Sequence, residues 1–198
     1  MRRLGLLVTG ALLMVAGPAF AQDTSRGELS GGWRYYHATI QGLAPIAFNL
    51  NDFPQGWYGD VAANLSPKFA VVGEAGGTYS SNERSLSSAT RETSDVRLHV
   101  FMGGVRVRAP QNARFIPFGQ VLFGGEHNTS ARELTSTFSG RTSTSRFERG
   151  SSGAALALDA GVTAKAIIPV RAAVGYVRLF GEADSDAFRL SLGAACRF

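Results

Sequence analysis

Beyond residue 21 the chain repeats one pattern: short segments in which apolar and polar side chains alternate, broken by clusters of Gly, Pro, Ser, Asn and Asp. A period of two is the mark of a β-strand, and no segment keeps the 3.6-residue period of an amphipathic helix. The pattern predicts eight strands, at Leu29–Ala38, Gly56–Leu65, Phe69–Ser80, Asp95–Arg108, Phe115–His127, Ser152–Thr163, Val170–Phe180 and Ala187–Phe198. In the last of them Phe188, Leu190, Leu192, Ala194, Cys196 and Phe198 share one face, and Arg189, Ser191, Gly193, Ala195 and Arg197 share the other.

The same division recurs far away in the chain. Trp57, Gly59, Val61, Ala63 and Leu65 oppose Tyr58, Asp60, Ala62 and Asn64, while Phe69, Val71, Ala75 and Tyr79 oppose Glu74 and Thr78. Ala154, Leu156, Leu158, Ala160 and Val162 oppose Asp159 and Thr163. In the fourth strand Val96, Leu98, Val100 and Met102 are assigned to the apolar face and Arg97, His99 and Phe101 to the polar one, with a change of parity at Gly103-Gly104 that suggests a bulge. Strands with one wholly apolar face and one charged face fit a barrel that meets hydrocarbon outside and keeps polar groups inside. The expected fold is all-β: an eight-stranded antiparallel up-and-down transmembrane β-barrel.

An interior of eight strands is only just wide enough for side chains. Both signs of charge fall on the inward faces: Asp60, Glu74, Glu126 and Asp159, with Arg34, Arg97, Arg171 and Arg189. Unpaired ions buried there are very costly, so these groups are expected to form an interior network that blocks the lumen. Aromatic residues gather near strand ends, as interfacial girdles require. Trp33, Tyr35, Trp57, Tyr58, Tyr79, Phe180 and Phe188 are placed at one boundary, and Phe69, Phe115 and Phe198 at the other.

The connections mostly alternate in length. Thr39–Gln55, Ser81–Ser94 and Asn128–Ser151 are long, whereas Ser66–Lys68, Ala109–Arg114 and Ala164–Pro169 are short; Gly181–Asp186 is shorter than the alternation predicts. Short periplasmic turns and longer outer loops have this pattern, which puts both chain ends in the periplasm. The second and third long connections are rich in Ser, Thr and Arg and are expected to be mobile loops. The first carries Leu43, Ile46, Phe48, Leu50 and Phe53, which could fold over the barrel mouth or extend the flanking strands.

The N-terminus fits export. Arg2 and Arg3 precede an apolar run, Leu4–Ala16, and Ala19-Phe20-Ala21 is a small-residue cleavage site. The expected organisation is a signal peptide over residues 1–21 and a barrel over residues 22–198. Removing the two signal arginines from the 20 basic residues leaves 18 against 15 acidic ones, so the formal charge falls from +5 to +3. The basic residues form no run, and nucleic acid is not an expected partner. The 24 glycines suit strands that bend and pack closely.

Chemistry-bearing constellations are few. His37, His99 and His127 are far apart, and Cys196 is the single cysteine, so no spacing suggests a metal site or a disulfide. A hydrolytic triad would need a serine, a histidine and an orienting carboxylate within hydrogen-bond reach; His127 with Glu126 and Ser130 is the best candidate. No catalytic residue and no cofactor is expected.

Four segments carry a family resemblance over nearly the whole mature chain: GGWRYYHA from Gly31, GWYGDVAANLSPKFAVVGEAGGTYS from Gly56, FIPFGQVLFGGEH from Phe115 and FRLSLGAACRF from Phe188. Together they resemble the outer-membrane protein β-barrel domain family, which groups with the OmpA-like and OmpX-like eight-stranded barrels. The resemblance implies an outer-membrane location, contact with membrane lipid and lipopolysaccharide, and biogenesis through periplasmic chaperones and the barrel assembly machinery. Phe188, Leu190, Leu192 and the terminal Phe198 resemble the C-terminal signal that this machinery reads. Because the chain closes on its last strand, the peptidoglycan-binding domain of longer OmpA-like proteins is not expected. The implied role is structural or in surface interaction: envelope integrity, adhesion, or binding through the outer loops. A narrow gated, porin-like ion channel is the alternative, and a lipid A-modifying enzyme is a third reading.

Overall fold

The computed structural model describes residues 26–40, 52–87, 90–110, 113–139, 141–180 and 185–198. The predicted signal peptide, most of the first long connection and most of the last one lie outside the described residues. Among the described residues nine strands form one antiparallel sheet: β1 (Gly27–Ile40), β2 (Asp52–Phe53), β3 (Gln55–Asn64), β4 (Phe69–Ser87), β5 (Thr90–Arg108), β6 (Phe115–Phe138), β7 (Arg141–Ala164), β8 (Val170–Phe180) and β9 (Ser185–Arg197). Eight of them make a ring, because β9 pairs with β1, from Glu28 opposite Arg197 to Ile40 opposite Ser185. Strand β2 is a two-residue clip on β1, with Phe53 opposite Tyr36.

The registers fix the shape of this ring. Stepping across partners from Gly27 through Ala63, Val71, Val105, Val121, Leu158, Tyr176 and Phe188 leads back to β1 at His37, ten residues along from the start. A closed eight-stranded sheet with such a stagger tilts its strands about 35–45° to the axis and has room inside for side chains alone.

Three tight turns join strands at one end of the ring, as the sequence predicts. In the first, the Ser66 hydroxyl accepts the amide of Phe69 at 3.1 Å, and the Leu65 amide bonds the Phe69 carbonyl at 3.0 Å. The turn after β7 is tied back by the Lys165 amide to the Arg114 carbonyl at 2.8 Å.

The opposite end departs from expectation. Ser81–Ser94 and Asn128–Ser151 were expected to be mobile loops, yet they continue the strands: β4 pairs with β5 as far as Ser87 and Thr90, and β6 with β7 as far as Phe138 and Arg141. Strand β5 also pairs with β6 out to Thr90 opposite Ser136, so β4 to β7 rise above the ring as one four-stranded sheet. The physical reason is in the composition. Threonine is β-branched and suits a pleated surface, and Thr135–Thr144 and Thr137–Thr142 form cross-strand hydroxyl contacts at 3.5 and 3.3 Å. Ser139 turns the corner with a φ of 47°.

The parity of β5 is the second correction. Both of its ladders run without a shift through Gly103 and Gly104, so there is no bulge there. Val96, Leu98, Val100 and Met102 consequently face inward, with Arg106 and Arg108 below them, while Arg97 and Phe101 are exposed on the outer face. Gly104 is required where it stands, since a β-carbon there would fall 1.9 Å from the Val121 carbonyl oxygen.

Candidate functional site

Two features of the barrel bear on function: what fills its lumen, and what stands above it. The lumen has two storeys. Towards the tight-turn end it is ionic. Glu28, at the start of β1, accepts Arg106 and Arg197 at 2.8 Å, pairs with Arg171, and has Arg108 at 3.5 Å. Asp60 of β3 meets Arg106 at 3.1 Å and Arg171 at 3.2 Å, and also accepts the Ser30 hydroxyl. The Arg106 and Arg171 guanidiniums both lie over the Phe118 ring, 5.1 and 5.0 Å from its centroid, contacts favoured by the negative face of the ring.

A second ionic group sits further along the axis. Arg34 grips Glu74 with two hydrogen bonds of 2.7 and 2.8 Å. Arg189 reaches Glu74 at 2.9 Å and holds Asp159 at 2.7 and 2.5 Å. Gln120 joins the two groups, accepting from Arg106 and donating to Asp159, each at 2.8 Å. Bidentate guanidinium–carboxylate pairs of this kind combine strength with fixed geometry. Alternate residues of β1, β3, β4, β5, β7, β8 and β9 supply them because the pleat turns every second side chain inward.

Beside and above the upper ionic group the lumen is apolar, with Met102 directly opposite Glu74. Val96, Leu98, Val100, Met102, Leu122, Val177 and Leu179 pack with Tyr36 and Phe53 in a buried cluster. The sequence reading expected polar residues inward throughout, and this storey is a correction to it. Apolar side chains inside are as compatible with a filled lumen as ions are, and they carry no desolvation cost.

Of the eight residues assigned to the interior charge group, Arg34, Asp60, Glu74, Asp159, Arg171 and Arg189 are brought together in the lumen. Arg97 is not: it stands on the outer face of β5, in register with Tyr79 of β4. Glu126 has inward parity but lies beside the apolar storey, opposite Val100, and among the described residues no cation pairs with it. Glu28, Arg106 and Arg108 are members that the sequence did not single out, and Arg197, placed on the polar face of the last strand, was not counted in the charge group. Their signal was available, since each alternates with outward apolar neighbours such as Leu29, Val105, Val107 and Cys196.

The candidate triad is not assembled. His127 points outward and its Nδ1 contacts the Ser152 hydroxyl at 2.9 Å, while Glu126, the next residue along the strand, has the opposite parity. Ser130 bonds the Arg149 carbonyl at 3.5 Å instead.

The outside of the ring is apolar over its middle. Leu29, Val61, Val71, Val105, Val121, Leu158, Val174 and Leu190 are all exposed there, an arrangement that water would penalise and hydrocarbon favours. Trp33 and Trp57 face each other across β1 and β3 at one edge of this band, and the Trp57 indole donates to the Tyr79 hydroxyl at 3.2 Å. Phe69, Phe115 and Phe198 mark the other edge, all exposed. Tyr58, placed both on the polar face beside Asp60 and in the outer girdle, keeps the first position and not the second: it is buried in the lumen, with the Arg34 guanidinium 4.6 Å from its ring centroid.

A closed antiparallel ring, apolar outside and filled inside, is a small transmembrane β-barrel of the outer-membrane type. Two solved structures share the fold. The crystal structure of Ail, the attachment invasion locus protein of Yersinia pestis, is 16% identical over 88% of this chain and 99% of its own, with a TM-score of 0.51. The same protein in complex with the heparin analogue sucrose octasulfate is 15% identical over 86% and 97%, with a TM-score of 0.54. No protein-family model and no curated protein matches the chain.

Proposed function

We propose that this chain is an outer-membrane surface protein that acts through the four-stranded sheet it holds above the membrane, its barrel serving as the anchor. The observation that carries this reading is the pairing of β4 to β7 well beyond the apolar band, out to Phe138 opposite Arg141. A lumen occupied by guanidinium–carboxylate pairs and an apolar cluster supports binding at the surface rather than passage through the barrel. The solved complex of Ail with a heparin analogue supports a role of this kind for the fold. In this reading residues 1–21 are removed on export, the barrel lies among phospholipid and lipopolysaccharide, and Phe188, Leu190, Leu192 and Phe198 guide its assembly by periplasmic chaperones and the insertion machinery.

Replacing residues 130–149 by a two-residue Asn-Gly turn tests the reading. The β6–β7 hairpin would then close just above the band, with a turn type that suits the strand twist. The trimmed protein should still fold, shown by a heat-modifiable band in outer-membrane fractions, while cell-surface attachment conferred by the intact chain should fall at least tenfold. Full attachment by a folded, trimmed barrel would contradict it.

A further inference from the structure

The protruding sheet has two faces of opposite charge. Registers carry the inward parity of the barrel into the extension without a break as far as Ser85 on β4 and over the whole length of the β5–β6 and β6–β7 ladders. The face continuous with the lumen bears Arg84, Arg132, Arg141 and Arg149 against a single acid, Glu92. The opposite face bears Glu83, Asp95, Glu133 and Glu148 against Arg91 and Arg146. The ion pairs respect this division: Arg132 meets Glu92 on the inner face, and Arg91 meets Glu83 at 2.7 Å on the outer one.

The inner face also carries an aromatic ring in the open. Phe147 is 62% exposed, lies directly opposite Arg132 in the ladder, and has Arg149 two residues along on the same face. On this face Leu134, opposite Ser145 in the next inward pair, adds a second apolar side chain beside the ring. The described ladder of β8 on β7 stops at Ala154 opposite Phe180, so β7 has no further described partner on that side above Ala154.

We propose, building on the surface-binding reading above, that this inner face is a binding site for an anionic glycan, a polysaccharide or oligosaccharide bearing sulfate or phosphate. Guanidiniums present paired donors that match the oxygens of sulfate and phosphate. The Phe147 ring offers the flat apolar surface on which the C–H face of a pyranose stacks, and the flanking arginines are placed to take the anionic substituents of the same sugar or the next. An acidic peptide would satisfy the charge but gives the Phe147 ring no such stacking partner. The outer face, with its acidic excess, repels the same ligand and sets the side from which it approaches.

Refolded full-length protein in neutral phosphatidylcholine nanodiscs would be titrated with heparin oligosaccharide, with phosphorylated core oligosaccharide from lipopolysaccharide, and with desulfated heparin. Saturable binding of the sulfated or the phosphorylated sugar, and none of the desulfated one, is expected; which of the two binds identifies the source of the ligand. A variant with Arg84→Gln, Arg141→Gln, Phe147→Ser and Arg149→Gln should bind at least tenfold more weakly, and Arg91→Gln with Arg146→Gln on the outer face should bind at least as well as wild type. Failure of both anionic sugars to bind, or an equal loss from the outer-face pair, would overturn the proposal. Either result would leave the surface-binding reading standing if trimming residues 130–149 still abolished attachment.

Discussion

Substituting Glu28→Gln is expected to destabilise the folded barrel by about 3–5 kcal/mol, the cost of removing one partner from a buried ionic group. Glu28 is fully buried and faces Arg106, Arg108, Arg171 and Arg197. The lower and middle lumen hold six arginines, those four with Arg34 and Arg189, against Glu28, Asp60, Glu74 and Asp159. Removing one carboxylate leaves guanidiniums facing one another where water cannot screen them. The loss should appear as a lower urea midpoint for the protein in lipid vesicles, followed by fluorescence of Trp33 and Trp57. The matching change Glu83→Gln on the protruding sheet breaks an exposed pair and should cost less than about 1 kcal/mol. Equal effects would mean that Glu28 is not in a dry interior.

The second large effect concerns the outside. Val121 sits near the middle of the β6 segment that crosses the apolar band and is exposed. On the surface of a water-soluble protein, Val121→Arg would change stability by no more than about 0.5 kcal/mol. Facing the middle of a bilayer it should cost about 2–4 kcal/mol, read from the same vesicle titration. A change within experimental error would deny that this band meets hydrocarbon.

Most of the ring was legible in the sequence because the two-residue period is strong where one face touches lipid. In β3, β4, β7 and β9 the inward and outward residues fall where the alternation places them, from Asp60 and Glu74 inside to Leu158 and Leu190 outside. Strand β5 misled for a physical reason. Val96, Leu98, Val100 and Met102 line an apolar storey of the lumen, so hydrophobicity alone no longer marked the lipid side, and Arg97 at the edge of the band is free to face outward. Pairing decides such a strand, and pairing is not written in its own residues.

The protruding sheet was hidden differently. Segments such as Thr142-Ser143-Thr144-Ser145 have too little apolar content to signal a buried face, yet their strands are held by the ladders that start in the barrel below. Continuation of a preformed ladder needs no core of its own. The interior hub was partly visible: Arg171, Asp60 and Asp159 stood out as charges among apolar alternations, whereas Glu28 lay one residue outside the predicted first strand.

Planar-bilayer recording of the refolded wild-type protein tests the central claim, that the barrel is a filled anchor for a binding sheet. A lumen closed by Arg34–Glu74, Arg189–Asp159 and the Glu28 group, with Val100, Leu122 and Val177 packed beside and above them, should give no conductance steps above background at any voltage the bilayer withstands. Reproducible ohmic steps from the wild-type protein would contradict it and place the function in the lumen.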